Sequence, residues 1–384
     1  MEIIIGGEGM RVLHVCSYYI TSKLYKNLIE NLAETGIYSR VYIPVSSNEM
    51  INKFVGEESD MTEYLYSKCF NKFDRVSFKW KNKKIYSDLN KNVKLDDIDI
   101  THAHSLFVNG YVSYRLKKDR GLDYIVAVRN TDVNTFFKKV KHLRPLGVEI
   151  MKNAKQVIFL SERYKNDVIN EYVPEELREE IFNKSVVIPN GVDSFWLENE
   201  IMDEEKAADK DNVKLVFTGK LDKNKNIYTS IDAVKKLNED GVNATLDLIG
   251  DGPEKDGIKK YAEENAPGKV NLLGFMDKTK IIDVYRNSDI FVMPSKFETF
   301  GLVYVEALTQ GLHLIYTRGQ GFDGYFADGT IGYSVKYDDS EEIKNRIKDI
   351  SSGKVEKISN YKDKILNDFD WKNVAERYKK IYSK

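Results

Sequence analysis

The sequence predicts an α/β protein made of two doubly wound domains facing a central cleft. Three observations lead there. Short, near-continuous apolar runs read as strands buried on both faces. Helix-spaced segments lie between them, and the whole pattern restarts after residue 212. In the first array the strands are Arg11–Cys16 (RVLHVC), Tyr38–Pro44, Ile98–Thr101, Asp123–Val128, Gln156–Leu160 and Ser185–Pro189. A helix at Leu24–Glu34 carries Leu24, Leu28 and Leu32 on one face. In the second array the strands Lys214–Thr218, Ala244–Ile249, Val270–Leu273, Asp289–Met293 and His313–Tyr316 alternate with helices Ile227–Glu239, Glu254–Glu264, Thr279–Arg286 and Val303–Thr309. Ile343–Ile350 and Trp371–Tyr382 read as closing helices. The polar, charge-dense stretch Glu198–Asn212 reads as a linker. The expected organisation is a domain at 1–197, the linker at 198–212, a second domain at 213–365, and a terminal helix at 366–384 that crosses back to the first domain. Met1–Gly9 contains GGEG but is followed by a strand, whereas a dinucleotide loop opens directly into a helix, so it reads as an extension.

Composition narrows the class. The chain has 384 residues, 42% of them hydrophobic, with 59 Lys and Arg against 60 Asp and Glu. That balance argues against a wholesale nucleic-acid binder. Two cysteines, Cys16 and Cys69, are too few for a disulfide framework or a zinc ribbon and fit a reducing, cytoplasmic setting. No apolar run approaches the ~20 residues of a spanning helix, and MEIIIGGEGM lacks the basic start of a signal peptide. The charge is unevenly spread, however. Met61–Lys165 holds 22 Lys and Arg against 11 Asp and Glu, a local net of +11 that leaves −12 for the remainder. It is densest at KWKNKK (Lys79–Lys84, with Trp80) and KKVKHLR (Lys138–Arg144). An anionic membrane surface is therefore an expected partner of the N-terminal domain, the alternatives being a basic domain that faces its acidic partner domain or one that binds an anionic soluble acceptor.

Ligands of doubly wound sheets bind beyond the carboxyl ends of the strands. There the most informative stretch is PSKFETFGLVYVEAL (Pro294–Leu308). A strand ends, a loop follows, and a helix opens near Phe300–Gly301, whose unpaired N–H groups suit a phosphate. Glu298 and Glu306 suit sugar hydroxyls. In TGKLDKNK (Thr218–Lys225), Gly219 opens a turn, and Lys220 and Lys225 are point charges fit for a diphosphate. GDGPE after Ala244–Ile249 reads as a tight strand-to-helix turn. In the first domain His102 and His104 alternate in THAHSLFVNG without a third ligand nearby in sequence, and a metal is not expected. RNTD follows the strand Asp123–Val128 and offers Arg129 and Asp132, either as ligand contacts or as an ion pair with each other. Asp97-Ile98-Asp99 lies at the start of a strand, the wrong end for a site.

These motifs resemble the group 1 glycosyltransferases, a retaining family with the GT-B fold of two Rossmann-like domains. The likeness rests on Glu298-x7-Glu306, TGKLDKNK, IGDGPE (Ile249–Glu254), IPNGVD (Ile188–Asp193), NLLGFM (Asn271–Met276) and DWKNVAERYKKIY (Asp370–Tyr382), and runs over nearly the whole chain. The resemblance implies a nucleotide-sugar donor held mainly by the second domain. Glu306 would hold the ribose, and Glu298 with the backbone of Phe300, Gly301 and Leu302 the donor sugar and phosphates. Lys220 and Lys225 would neutralise the diphosphate, and Leu273–Phe275 would lie against the base. Glu298, Lys220 and Lys225 are thus the expected catalytic residues. Glu306, Phe300, Gly301, Leu302, Gly219, Leu273 and Phe275 are the expected donor-binding residues, and Arg129, Asp132 and His104 are contacts for donor or acceptor. Arg129 stands where the family has a histidine, Lys220 where arginine is usual, and Ser17–Lys23 lacks the usual two glycines. The implied activity is retaining transfer of a sugar to a hydroxyl acceptor, saccharide or lipid-linked, in cell-surface polysaccharide or glycolipid synthesis. It needs no cofactor and no metal, and it takes place in the cytoplasm or on the inner face of the membrane. A sugar-nucleotide epimerase, a glycoside phosphorylase and a non-catalytic nucleotide-sugar binder are the alternatives.

Overall fold

The computed structural model describes residues 9–56, 59–204 and 209–383. The reading of Met1–Gly9 as an extension lies almost entirely outside the described residues. The chain forms two compact units. One takes in the chain up to Leu160, Tyr164–Gly191 and the chain from Trp371; the other is Ser161–Arg163 with Val192–Asp370.

In the first unit the apolar runs become a seven-stranded parallel sheet: β1 (Arg11–Val15), β2 (Tyr38–Val45), β3 (Thr62–Lys68), β4 (Ile100–Ala103), β5 (Tyr124–Ala127), β6 (Gln156–Phe159) and β7 (Ser185–Val187). The order is β3-β2-β1-β4-β5-β6-β7. The strand expected at Ile98–Thr101 begins two residues later. The carboxylates before it are committed elsewhere: Asp97 pairs with Arg11 at 2.9 Å and Arg40 at 2.8 Å, and Asp99 accepts the Arg11 N–H at 2.7 Å. This also accounts for the Asp-x-Asp spacing as a structural clasp. The sequence pattern missed β3, an edge strand whose mixed TEYLYSK is mostly half-buried and is fixed by pairing with β2.

The second unit repeats the plan with β8 (Asn212–Thr218), β9 (Asn243–Ile249), β10 (Val270–Gly274), β11 (Ile290–Met293), β12 (His313–Thr317) and β13 (Gly332–Val335), in the order β10-β9-β8-β11-β12-β13. β13 was not expected. It opens on Gly332, where a Cβ would stand 2.0 Å from the Leu314 carbonyl oxygen, so pairing with β12 needs a residue without a side chain. In both sheets the strand order reverses at one place, between β1 and β4 and between β8 and β11. Such switch points open crevices for ligands.

The unit boundaries differ from those expected. The second unit starts at Val192 rather than after the polar stretch, because Val192, Trp196 and Met202 are buried in its core and Trp196 stacks on Tyr285. The return to the first unit comes at Trp371 rather than at 366. Ile365 and Phe369 belong to the core of the second unit, whereas Trp371, Val374, Tyr378 and Tyr382 pack with Leu28, Ile29 and Leu32 in the first.

Candidate active site

At the second switch point, the loop after β8 and the loop after β11 lie side by side. Asn224, inside TGKLDKNK, ties them together. Its side-chain amide donates to the Phe297 carbonyl at 2.9 Å and accepts the Phe297 N–H at 3.1 Å, while its own carbonyl accepts from Lys296 at 2.8 Å. This brings Lys225 Nζ to 2.6 Å from Glu298 Oε2, with under a fifth of either side chain exposed. Two of the three expected catalytic groups are thus ion-paired with each other. Lys220 is exposed at the start of the same loop.

Gly219 turns the chain out of β8, and Gly250 meets it from the end of β9: a Cβ on Gly250 would lie 1.9 Å from the Gly219 carbonyl oxygen. IGDGPE is therefore the tight turn expected. Its Asp251 carbonyl accepts the Leu221 N–H at 3.0 Å, which holds the lysine loop from behind.

The helix after β11 runs Leu302–Thr309, with Gly301 as its N-cap in the left-handed region. A side chain there would strike the Tyr304 ring. Tyr304 in turn donates its hydroxyl to the Met293 carbonyl at 2.8 Å and locks the helix onto the strand end. The Phe300 side chain is buried against Phe322, Tyr325 and Phe369, so only its backbone is placed to serve a ligand. Leu273 is half-buried, and Phe275 is 83% exposed beyond β10.

Glu306 sits within the first turns of this helix. Burial pushes its carboxyl up to about 7; Asp193 adds to the rise and Lys278 opposes it. Asp193, the last residue of IPNGVD, holds Lys278 through both oxygens at 2.8 Å.

Two residues here escaped the sequence reading. Gln320 Oε1 accepts the Glu298 N–H at 2.9 Å, and Gly321 N–H donates to the Glu298 carbonyl at 3.0 Å. A Cβ on Gly321 would lie 1.5 Å from the Thr299 carbonyl oxygen. The signal was the glycine pair in RGQGF directly after β12, the strand beside β11.

The first switch point holds a different assembly. Register pairs His14 on β1 with His102 on β4. His14 Nδ1 is 3.0 Å from His104 Nε2, and the His102 and His104 rings stack at 3.9 Å. His14 is thus the third imidazole, which the separate sequence positions hid. The three offer ring nitrogens within 4.8 Å of one another. A second hydrogen bond, between Tyr382 OH and His102 Nδ1 at 2.8 Å, holds the stack from the other side. Burial holds His14 down at about 3, and burial with the neighbouring rings and Arg129 holds His102 and His104 well below the usual histidine range. The three rings are thus buried and held neutral, and His104 is only 1% exposed.

Arg129 is half-buried. Its Nε donates to the His104 carbonyl and its Nη1 to Asn190 Oδ1, each at 3.4 Å. Asp132 is buried and accepts main-chain N–H groups of Arg129, Leu106 and Phe107 at 2.9–3.1 Å. Its oxygens are taken up by backbone, so it positions two loops rather than meeting a ligand. The expected alternative of a side-chain ion pair with Arg129 is replaced by this backbone contact.

Residues 198–365 match the family model "Glycosyl transferases group 1". An uncharacterized glycosyltransferase of Methanocaldococcus jannaschii is 24% identical over 97% of this chain and 98% of its own. The alpha-monoglucosyldiacylglycerol synthase of Acholeplasma laidlawii is 23% identical over 64% of this chain and 65% of its own. The Anabaena protein HepE, solved with UDP and glucose, superposes with a TM-score of 0.67 at 16% identity over 97% of this chain and 99% of its own. The fold is that of the GT-B glycosyltransferases. Residues 198–365 are thus similar to the group 1 glycosyltransferases, and the chain resembles a glycosyltransferase over nearly its whole length.

Proposed function

We propose that the protein transfers a sugar from a nucleoside-diphosphate donor to a hydroxyl acceptor with retention at the anomeric carbon. The observation that carries this reading is the Lys225–Glu298 pair beside the Gly301 helix start, with Glu306 further along the same helix. As the anomeric C–O bond breaks, negative charge builds on the departing diphosphate. Lys225, Lys220 and the N–H groups at Gly301 and Leu302 are arranged to stabilise it. Glu306 accepts from the ribose hydroxyls, Glu298 from the donor sugar, and Phe275 and Leu273 cover the base. A donor phosphate oxygen takes the acceptor proton, so no protein nucleophile is needed.

The acceptor belongs to the first unit, where Arg129 suits an anionic group. The relative named for a glycolipid supports a lipid-linked acceptor, in glycolipid or cell-surface polysaccharide synthesis at an anionic membrane face. The positive field comes from side chains and a helix end, so no divalent metal is required: turnover survives a chelator, and loss of activity restored by manganese or magnesium refutes this point.

The test is product analysis with a panel of nucleoside-diphosphate sugars. Acceptor-dependent release of nucleoside diphosphate, with the donor's anomeric configuration kept in the product, is expected. Turnover of the donor without acceptor points to the epimerase reading, and binding without turnover to the non-catalytic one.

A further inference from the structure

The basic stretch of the first unit carries an exposed apolar feature, in which Trp80 has a charged neighbour, Lys84 over its ring at 5.5 Å. Phe73 is 86% exposed, Val76 91% and Trp80 54%, and all three lie within eight residues at the entry to the helix Phe78–Asn92. Exposed large apolar side chains so close together mark a contact surface. The same helix buries Asn82, Ile85 and Leu89, so it is anchored and its outer face is fixed.

The charges around the three residues have one sign. Lys72, Lys79 and Lys83 are exposed. From Cys69 to Leu95 the only acids are Asp74 and Asp88. Asp74 is buried and pairs with Lys84 at 2.7 Å, and Asp88 accepts the Tyr42 hydroxyl at 2.6 Å. Not every lysine of KWKNKK is available, since Lys84 is held by Asp74 and Lys81 lies over the Phe70 ring at 4.8 Å. The exposed set is therefore three apolar side chains and three lysines within twelve residues of chain.

We propose that Phe73, Val76 and Trp80 form a wedge that enters the headgroup region of an anionic lipid monolayer while Lys72, Lys79 and Lys83 contact its phosphates. This deepens the membrane reading given above and rests on it. A lipid surface fits better than a protein or a nucleic acid. The apolar tips need a medium that accepts them without a shaped pocket, and an indole with flanking cations suits the boundary between water and acyl chains. No described helix is long and apolar enough to cross a membrane, so attachment by this element is peripheral.

Trp80 supplies its own reporter, because Trp196 and Trp371 are buried. The full chain is titrated with vesicles of phosphatidylcholine alone and of phosphatidylcholine with phosphatidylglycerol. Tryptophan emission, quenching by acyl-chain bromines and co-sedimentation are read. Binding that needs the anionic lipid, with a blue shift and bromine quenching that vanish in Trp80→Phe, is expected. Phe73→Ser with Val76→Ser weakens binding at least tenfold, and Lys72→Glu with Lys79→Glu and Lys83→Glu does the same, each lysine being worth about fivefold. All are exposed, and unchanged circular dichroism verifies folding.

Lys139→Glu with Lys141→Glu, in the other basic segment, leaves binding unchanged. Wild-type binding that the wedge variants keep, or that Lys139→Glu with Lys141→Glu loses equally, overturns the wedge while leaving membrane attachment standing. No binding to either vesicle, or retention by soluble heparin instead, overturns both.

Discussion

Lys225→Met removes the cation that the site places beside the departing diphosphate. Its stability cost follows from the geometry. Lys225 Nζ lies 2.6 Å from Glu298 Oε2, with 18% and 16% of the two side chains exposed. A fully exposed pair contributes about 0–1 kcal/mol, and breaking a buried one from one side costs about 3–5 kcal/mol, so this half-sheltered pair should cost about 2 kcal/mol when the lysine goes. The effect on turnover is separate. A charge contact to a leaving group is worth ~3 kcal/mol, or about a hundredfold in rate. The two effects come apart in a cycle of Lys225→Met, Glu298→Gln and the double variant, read by urea unfolding and by turnover of the nucleoside-diphosphate sugar. The double variant should recover most of the lost stability, since no unpaired charge remains, yet stay slow. Glu298→Gln alone should bind free nucleoside diphosphate roughly fivefold more tightly, because it removes a carboxylate from beside the phosphates and frees the lysine, while it turns the donor sugar over more slowly. If the double variant instead turns over within about threefold of wild type, the two residues only neutralise each other and the leaving-group role is wrong.

Glu306→Ala should cost well over tenfold in turnover with the fold intact. Since burial pushes the Glu306 carboxyl up to about 7, donor affinity should rise with pH through that value as the hydrogen-bond-accepting carboxylate forms, and Glu306→Gln should flatten the profile; a profile unaltered in that variant refutes the assignment. The same raised value has a stability sign. The folded state keeps a proton that the unfolded chain gives up, so wild type loses stability between about pH 4.5 and 7 and is level above, and Glu306→Gln should lose less over that window in thermal unfolding. Gly321→Ala should destabilise the second unit and slow turnover together, because its methyl would displace the Thr299 carbonyl that leads into Gly301; normal melting and rate refute that packing. Asp132→Ala leaves three main-chain N–H groups without their acceptor and should cost about 2–4 kcal/mol by urea unfolding, a value that a ligand contact without a structural role would not give.

The carboxyl-end loops of the second unit were legible from residue order because each is a local event: an apolar strand, a turn that needs glycine, and a helix start. TGKLDKNK, IGDGPE and the Glu298–Glu306 stretch all lie within single strand-loop-helix units, and the helices at Ile227–Glu239 and Trp371–Tyr382 fall where their periodicity places them. β3 and β13 were not legible. β3 is half-buried with a mixed TEYLYSK and β13 is only the four residues GYSV, so neither shows an apolar run, and pairing with β2 and β12 defines them.

What a sequence determines by itself here is which segments form strands and helices, and which loops carry charge and glycine, since those depend on neighbours along the chain. Which side chains meet was decided by the tertiary structure. Strand order set β1 against β4 and made His14 the partner of His102 and His104. It also set β12 beside β11 and delivered Gln320 and Gly321 to Glu298. Lys225 and Glu298, 73 positions apart, cancel each other's charge only because β8 and β11 are neighbours in the sheet. Asp132 was drawn onto three backbone N–H groups for the same reason: a buried carboxylate takes the donors that folding brings within reach, and nothing in the order RNTD states which those will be.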